Sequence, residues 1–320
     1  MTQKILVADI GGTHARFAMA SVEQGKISVQ NAQTLQTKDF KNLGEAAGAY
    51  IETVEAKPDR ACLAGAGPVL GNQIEFTNSH WRLNAEDIKA ALALCEVRIV
   101  NDFWALAAGV AYLPEGSFVD VKPGRSEPKA PTLVIGPGTG LGQALIVPTN
   151  NGRRVISTEG GHITFAPRTD EEYELMKFIA REHSRVSVER LLSGNGLVNI
   201  YRALCAIENK PPASAQADEI TAAAVGGGDP LAKKAVGMFC AILGRVAGDA
   251  VLSTGARGGV VLGGGILPKI REIFLASKFV ERFLDKGRMR DYVDAAPVKL
   301  ITREGAALFG AAAVLTETDL

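Results

Sequence analysis

The sequence predicts an α/β fold with mixed sheets, built as two similar halves. Three observations predict it. Short apolar runs of strand length alternate with helical patterns along the chain. The order strand-strand-strand-helix-strand-helix-strand-helix occurs roughly twice, the second time with helical insertions. Two glycine loops, about a domain's length apart, each follow one strand-like run and precede another. The first is Asp9-Ile10-Gly11-Gly12-Thr13 after Ile5-Leu6-Val7-Ala8; the second is Gly136-Pro137-Gly138-Thr139-Gly140 after Leu133-Val134-Ile135. The repeat is topological, since no residue-level repeat is visible beyond these loops.

In the first half, Lys4–Ile10 is continuously apolar, as a central strand is. Ala15–Ala20 mixes small, charged and apolar residues, and the more polar Ile27–Leu35 reads as an edge strand. A helix is expected over 42–55 and another over 84–94, where Asn84 suits an N-cap and Glu86 and Asp87 suit the first turn. Strands are expected at Ala61–Ala64 and Val97–Val100, and Asn101-Asp102 closes the latter and opens a helix. Pro114 to Pro131, rich in proline, glycine and charge, reads as a domain boundary. The pattern then restarts with strands at 132–135, 143–147 and 154–157 and a helical stretch over 171–209. Asp229-Pro230 opens a long helix, with Asp as N-cap and Pro at the first position. Gly237, Gly244 and Gly248 on that helix read as close-packing positions, and Gly226-Gly227-Gly228 as a connector. Strands at 260–262 and 297–301 and a final helix over 304–315 complete the chain.

At 320 residues, 47% of them hydrophobic, the chain suits two well-packed domains. Its 35 acidic and 35 basic residues balance to zero net charge, which argues against nucleic acid as a partner. Cys62, Cys95, Cys205 and Cys240 are widely spaced, so they predict neither a zinc site nor a disulfide framework and read as thiols of a reducing cytoplasm. Met1 leads straight into a strand, which leaves no room for a signal peptide. No apolar run approaches the ~18 residues of a membrane span. Met238–Val251 comes closest, but Arg245 and Asp249 interrupt it.

A strand that ends in glycine and threonine brings bare N–H groups and a hydroxyl up to a phosphate. Two such loops point to two half-molecules gripping one polyphosphate, although each taken singly reads first as a plain turn. There is neither a Gly-x-x-x-x-Gly-Lys-Ser/Thr loop nor a Gly-x-Gly-x-x-Gly opening a helix. Asp9 adds a carboxylate that would repel phosphate unless a cation lay between them, and magnesium is the natural occupant. Gly263-Gly264-Gly265 follows another strand and reads either as an edge that admits a flat ring or as a tight turn. Asp102 reads either as a helix cap or as a base for an alcohol proton, with Asn101 beside it to hold a hydroxyl. Glu159-Gly160-Gly161-His162 would project two polar side chains into one cavity. A metal pair is the competing reading, but His-Glu-x-x-His is absent, and His14, His80 and His183 are isolated. Glu189, in Ser187-Val188-Glu189-Arg190, reads from sequence alone as a solvated helix-start residue.

Together these segments resemble a known family, the bacterial glucokinases. They are the zinc-free type within the superfamily of sugar kinases, actin and heat-shock-chaperone ATPases. The resemblance rests on Asp9–Arg16, Thr77–Trp81, Ile99–Phe103, Gly136–Gly142, Glu159–Pro167, Val186–Gly194 and Val260–Gly265, in family order over nearly the whole chain. It implies two ribonuclease-H-like domains flanking a cleft, 1–112 with 302–320 and 113–301, the final helix returning to the first. It implies ATP-dependent phosphorylation of D-glucose at the 6-hydroxyl, with Asp102 as general base. It makes Asn78, Asn101, Asp102, Glu159, His162 and Glu189 the sugar ligands. ATP would lie on Asp9, Ile10, Gly11, Gly12 and Thr13, on Gly138, Thr139 and Gly140, and on Gly264 and Gly265 at the adenine edge. Mg2+ would sit at Asp9, and the protein would be a cytoplasmic homodimer. A kinase for mannose or fructose is the alternative. A non-catalytic sugar-sensing regulator would tend to lose Asp102 and to carry a DNA-binding helix-turn-helix. The repressor-and-kinase branch carries a cysteine-rich zinc motif after its Gly-His, where this chain has Ile163-Thr164-Phe165-Ala166-Pro167. His14 stands where related kinases often have Asn, and is expected to face outward.

Overall fold

The structure, a computed structural model, describes residues 4–76 and 80–316. Its contacts divide it into two units. The first runs to Ser117 and takes in Thr149–Ser157 and the chain from Arg303 onward; the second comprises Phe118–Pro148 and Thr158–Thr302.

The first unit is built on a five-stranded sheet. β1 (Lys4–Ile10), β2 (His14–Glu23) and β3 (Lys26–Gln36) form an antiparallel meander, and β4 (Arg60–Gly65) and β7 (Glu96–Asn101) extend it parallel to β1, in the order β3-β2-β1-β4-β7. The small hairpin β5 (Gln73–Glu75) and β6 (Arg82–Asn84) precedes α2 (Ala85–Ala91). β1 is covered on both faces, which is why its sequence is apolar without alternation. Leu6, Ala8 and Ile10 pack with residues of α1 (Leu43–Thr53) and α2, while Ile5 and Val7 pack with Leu308, Ala311 and Ala312 of the last helix. Both helix starts obey local chemistry: the Asn42 side chain accepts from Glu45 N, and Asn84, as expected, from Glu86 N and Asp87 N. α3 (Asp102–Gly109) leaves β7 directly and crosses the last helix, a backbone-to-backbone contact. A Cβ on Gly310 would lie 1.7 Å from Ala105 O, and one on Gly109 2.6 Å from Ala306 O.

The second sheet, of six strands, repeats the plan. β9 (Thr132–Pro137), β10 (Leu141–Thr149) and β11 (Gly152–Thr158) correspond to β1, β2 and β3, and β12 (Gly259–Leu262) and β13 (Val298–Ile301) to β4 and β7. Both β12 contacts are parallel, as in the first sheet. An extra strand, β8 (Phe118–Lys122), pairs antiparallel with β13 at the edge. It lies inside the segment expected to be only a boundary, because its proline-rich flanks obscure a short pattern. The helical stretch expected over 171–209 is two helices, α4 (Asp170–Ala180) and α5 (Gly194–Ile207), broken by the turn that carries Glu189. α6 (Ala217–Gly226), and the short α8 (Arg271–Leu275), α9 (Phe279–Leu284) and α10 (Arg290–Asp294), were not legible from periodicity.

α7 (Pro230–Thr254) begins as the sequence predicts, with Asp229 accepting from Leu231 N and Ala232 N. It is long and apolar enough to cross a membrane, yet 72% of its most apolar window is buried inside the protein. Arg245, the interrupting charge, is buried against Glu172 at 2.6 Å, and Glu172 also accepts from Arg168 N at 2.7 Å. Gly244 and Gly248 do allow close packing, their missing Cβ atoms standing 2.2 Å from Phe279 O and 2.5 Å from Phe283 O. Gly237 does not, since nothing lies within 4 Å of its Cβ position. The last helix, α11 (Ala306–Val314), comes after β13 but packs in the first unit against α3. Residues 149–157, read with the second domain, also group with the first, where Trp104 Nε1 donates to Val155 O at 3.3 Å and Arg153 lies over the Tyr112 ring.

These glycines give opposite expectations for one substitution. Gly310→Ala should cost about 3 kcal/mol in urea unfolding, the upper range for overpacking. Gly237→Ala should stabilise by about 0.5–1 kcal/mol through helix propensity. Equal effects would break the packing assignment.

Candidate active site

In the first sheet, hydrogen-bond register sets the site's floor. Ile10 pairs with Gly65, and Gly65 with Asn101, so β1, β4 and β7 end level with one another. The ends of parallel strands are where α/β sheets hold ligands. The loop after β1 is closed by Gly11 N donating to His14 O at 2.9 Å, and braced from behind by Thr37, whose N donates to Thr13 O and whose hydroxyl donates to Gly12 O. The N–H groups of Gly12 and Thr13 have no partner among the described residues. His14 is exposed, as expected, with its Nε2 2.9 Å from Gln36 Nε2.

Asp9 pairs with Arg16 across the β1–β2 ladder, on the sheet face that α11 covers. Burial pushes its carboxyl above the usual range, against the opposing pull of the Arg16 guanidinium. Arg16 is itself held by Thr34 Oγ1 at 3.2 Å and Glu304 at 2.9 Å. A half-buried carboxylate of raised proton affinity, beside two unpartnered loop N–H groups, suits a cation shared with an anionic ligand. No cluster of three or more His, Cys, Asp or Glu exists among the described residues to make an all-protein metal cage.

At the end of β7, Asn101 and not Asp102 is the N-cap of α3. Its Oδ1 accepts from Phe103 N and Trp104 N at 3.0 Å, and its Nδ2 donates to Gly67 O at 3.2 Å. The acceptor expected to hold a hydroxyl is therefore engaged by the helix, leaving the amide's second N–H. Asp102 occupies the first turn, where Oδ1 accepts from Phe103 N at 2.8 Å. That bond and the helix N-terminus hold a negative charge in place at the strand end.

The second unit presents the other loop. Gly138 N donates to Gly140 O at 2.8 Å, and Gly194 N donates to Gly138 O at 2.9 Å, which ties the loop to the start of α5. Here too, two N–H groups, of Thr139 and Gly140, have no partner among the described residues. Behind the loop, backbone meets backbone: a Cβ on Gly136 would lie 2.3 Å from Gly263 C, and one on Gly264 2.2 Å from Pro137 O. Gly264 also has φ +84°, so packing and conformation account for it fully. Gly265 faces open space.

The Glu159-Gly-Gly-His segment forms a 3-10 turn laid flat on β10. Gly161 is required from below, because a Cβ there would meet the backbone Leu141 O at 2.5 Å, and the end of the Gln143 side chain fills the space beneath Gly160, its Oε1 2.0 Å from the Cβ position. The turn holds Glu159 and His162 outward, 80% and 55% exposed, with Oε2 and Nε2 3.7 Å apart. Arg185 Nη1 fixes the far end by donating to His162 O at 2.7 Å. Nothing local in the sequence marks Arg185 or the buried Gln143 as partners of this turn.

Glu189 is half-buried, not solvated. It lies in the turn Val188–Arg190, and its Oε2 accepts from Leu141 N at 2.8 Å, directly beside Gly140. Asn78 lies outside the described residues. Cys62 and Cys240 are thiols pushed up to about 12 by burial, so neither is a nucleophile at neutral pH.

Residues 6–318 match the family model described as Glucokinase. The glucokinase of Hahella chejuensis is 43% identical over 319 residues, 99% of this chain and 98% of its own. That of Marinobacter nauticus is 42% identical over 316 residues, 98% of each. A crystal structure of glucokinase from an Antarctic psychrotroph, 38% identical, matches with a TM-score of 0.86 over 98% of this chain and 99% of the other.

The Asp9 carboxyl yields a pH prediction. Its raised affinity means that the folded chain binds a proton more tightly than the unfolded chain does. Stability therefore falls as pH rises through the folded value, and the penalty persists at neutral pH. Asp9→Asn should raise Tm at neutral pH, with the gain shrinking as the pH is lowered and the wild-type carboxyl takes up its proton. A lower Tm at neutral pH would show that burial is not what shifts this group.

Proposed function

The chain belongs to the glucokinase family, an ATP-dependent kinase of D-glucose, and we propose that Asp102 is the general base that frees the sugar's 6-hydroxyl for attack. The observation that supports this most is the register of the first sheet. It brings Asn101-Asp102 to the same strand-end edge as the Asp9–Thr13 loop, so acceptor chemistry and phosphate contacts start from one rigid frame. The hydroxyl oxygen bonds to the γ-phosphorus, the bond to the leaving ADP oxygen breaks, and the hydroxyl proton passes to the Asp102 carboxylate. General-base help of this kind contributes about 10²–10⁴ in rate.

Phosphoryl transfer otherwise depends on positioning and charge stabilisation. With no P-loop lysine, that work falls to the N–H groups of Gly12, Thr13, Thr139 and Gly140 and to the two threonine hydroxyls. Ile10 and Gly11 shape the first loop and Gly138 the second. Gly265, with Gly264 behind it, takes the adenine edge. Asp9 would hold Mg2+, directly or through water, and the ion would supply positive charge beside the phosphates. Asn101, Glu159, His162 and Glu189 recognise the remaining sugar hydroxyls, as does Asn78. The exposed Glu159 and His162 offer acceptor and donor atoms on a turn that cannot collapse, because Gln143 and Leu141 fill the space beneath it. The product is glucose 6-phosphate. The same reading makes the protein a cytoplasmic homodimer with neither nucleic acid nor membrane as a partner.

Asp102→Ala should lower kcat by about 100-fold or more while the KM for ATP changes little. Coupled ADP release over a panel of hexoses reads this directly. Activity within threefold of wild type would remove Asp102 as the base, and a higher kcat/KM for mannose or fructose would reassign the substrate.

A further inference from the structure

We propose that Glu189 is a positioning residue for the nucleotide loop as well as a sugar ligand, one carboxylate serving both substrates. The inference rests on the sugar-ligand reading above and extends it. Oε2 accepts from Leu141 N at 2.8 Å and stands 2.5 Å from the Cβ position of Gly140, so it fills the space that glycine leaves. Leu141 begins β10 immediately after the loop, and Gly140 supplies one of the loop's two unpartnered N–H groups. The carboxylate thus sets the direction in which the Gly140 peptide leaves the loop. Oε1, about 4.0 Å from the same Cβ position, has no hydrogen-bond partner among the described residues and is left for a hydroxyl.

The segment around Glu189 is braced for this role. Ser193 Oγ donates to Glu189 O at 2.9 Å and accepts from Gly196 N at 2.9 Å. Gly194 N reaches Gly138 O on the loop's other side. The sugar-binding turn and the phosphate loop are therefore bonded at both ends within one unit. A charge-assisted N–H···O⁻ bond is stronger than a neutral one, so its loss should be measurable at the loop.

The test is the affinity for Mg·ADP without sugar, and separately for glucose, by calorimetry on wild type, Glu189→Ala and Glu189→Gln. Hydrogen exchange at the Leu141 amide is followed alongside. The Gln carbonyl keeps an acceptor for Leu141 N, whereas Ala keeps none. Glu189→Ala should weaken sugar-free Mg·ADP binding at least fivefold and speed Leu141 exchange about tenfold. Glu189→Gln, which keeps a neutral bond to Leu141 N, should change both less than Glu189→Ala does and still weaken glucose. Mg·ADP affinity and Leu141 exchange within twofold of wild type in Glu189→Ala would overturn the proposal, whatever glucose does. Unchanged glucose affinity in both variants with weakened Mg·ADP would keep the loop role and remove the sugar assignment. If Glu189→Ala does not fold, Glu189→Asp is one methylene too short to reach both partners and is read by the same criteria.

Discussion

The register of parallel strands is the constraint on which the rest depends. Once β1, β4 and β7 pair with Ile10, Gly65 and Asn101 abreast, their carboxyl ends form one edge, and the Asp9–Thr13 loop and Asp102 share it. A slip of one residue would turn Leu6, Ala8 and Ile10 toward α11 and Ile5 and Val7 toward α1 and α2, exchanging two different packed faces. Core packing thus fixes the register, and the register brings the Asp9–Thr13 loop and Asp102 to one edge. The second sheet obeys the same rule: Ile135, Leu262 and Leu300 lie abreast, and the glycine loops after β9 and β12 emerge side by side.

Glycine does two unrelated jobs on this framework. At Gly109 and Gly310, Gly244 and Gly248, and Gly136 and Gly264, it lets backbone approach backbone more closely than any Cβ permits. Those contacts lock α3 against α11, α9 against α7, and the second loop against the end of β12. Gly138 and Gly265 face open space, where backbone stays accessible to a ligand. The two loops arrive at a common result by different bonds. One is closed across Gly11 and His14 and the other across Gly138 and Gly140, yet each leaves two adjacent N–H groups unpartnered among the described residues.

The halves repeat in strand order and diverge in the helix that succeeds each last parallel strand. α3 carries Asp102 at its first turn and stays with its own sheet. Its counterpart after β13, α11, covers the first unit's sheet instead, and Glu304 just ahead of it binds Arg16. The insertions between β11 and β12 hold the buried Glu172–Arg245 pair, whose partners come from α4 and α7. With Arg168 N also donating to Glu172, the carboxylate gains the added hydrogen bonding that a buried charge requires, while Arg245 Nη2 is buried with no hydrogen-bond partner among the described residues.

The sequence by itself determined the α/β class, the strand positions of both meanders, the caps at Asn84 and Asp229, and the two glycine loops. These are local properties: burial on both faces writes a continuous apolar run, and a helix start writes a cap. Only the tertiary structure decided which glycines pack and which stand open, that Gln143 underlies Gly160, and that Glu189 reaches Leu141. It also decided that 149–157 groups with the first unit and that β8 joins the second sheet. Each of these is a contact between segments far apart in the chain or across a turn. Its sign depends on tenths of an ångström between backbones, which no pattern in neighbouring residues records.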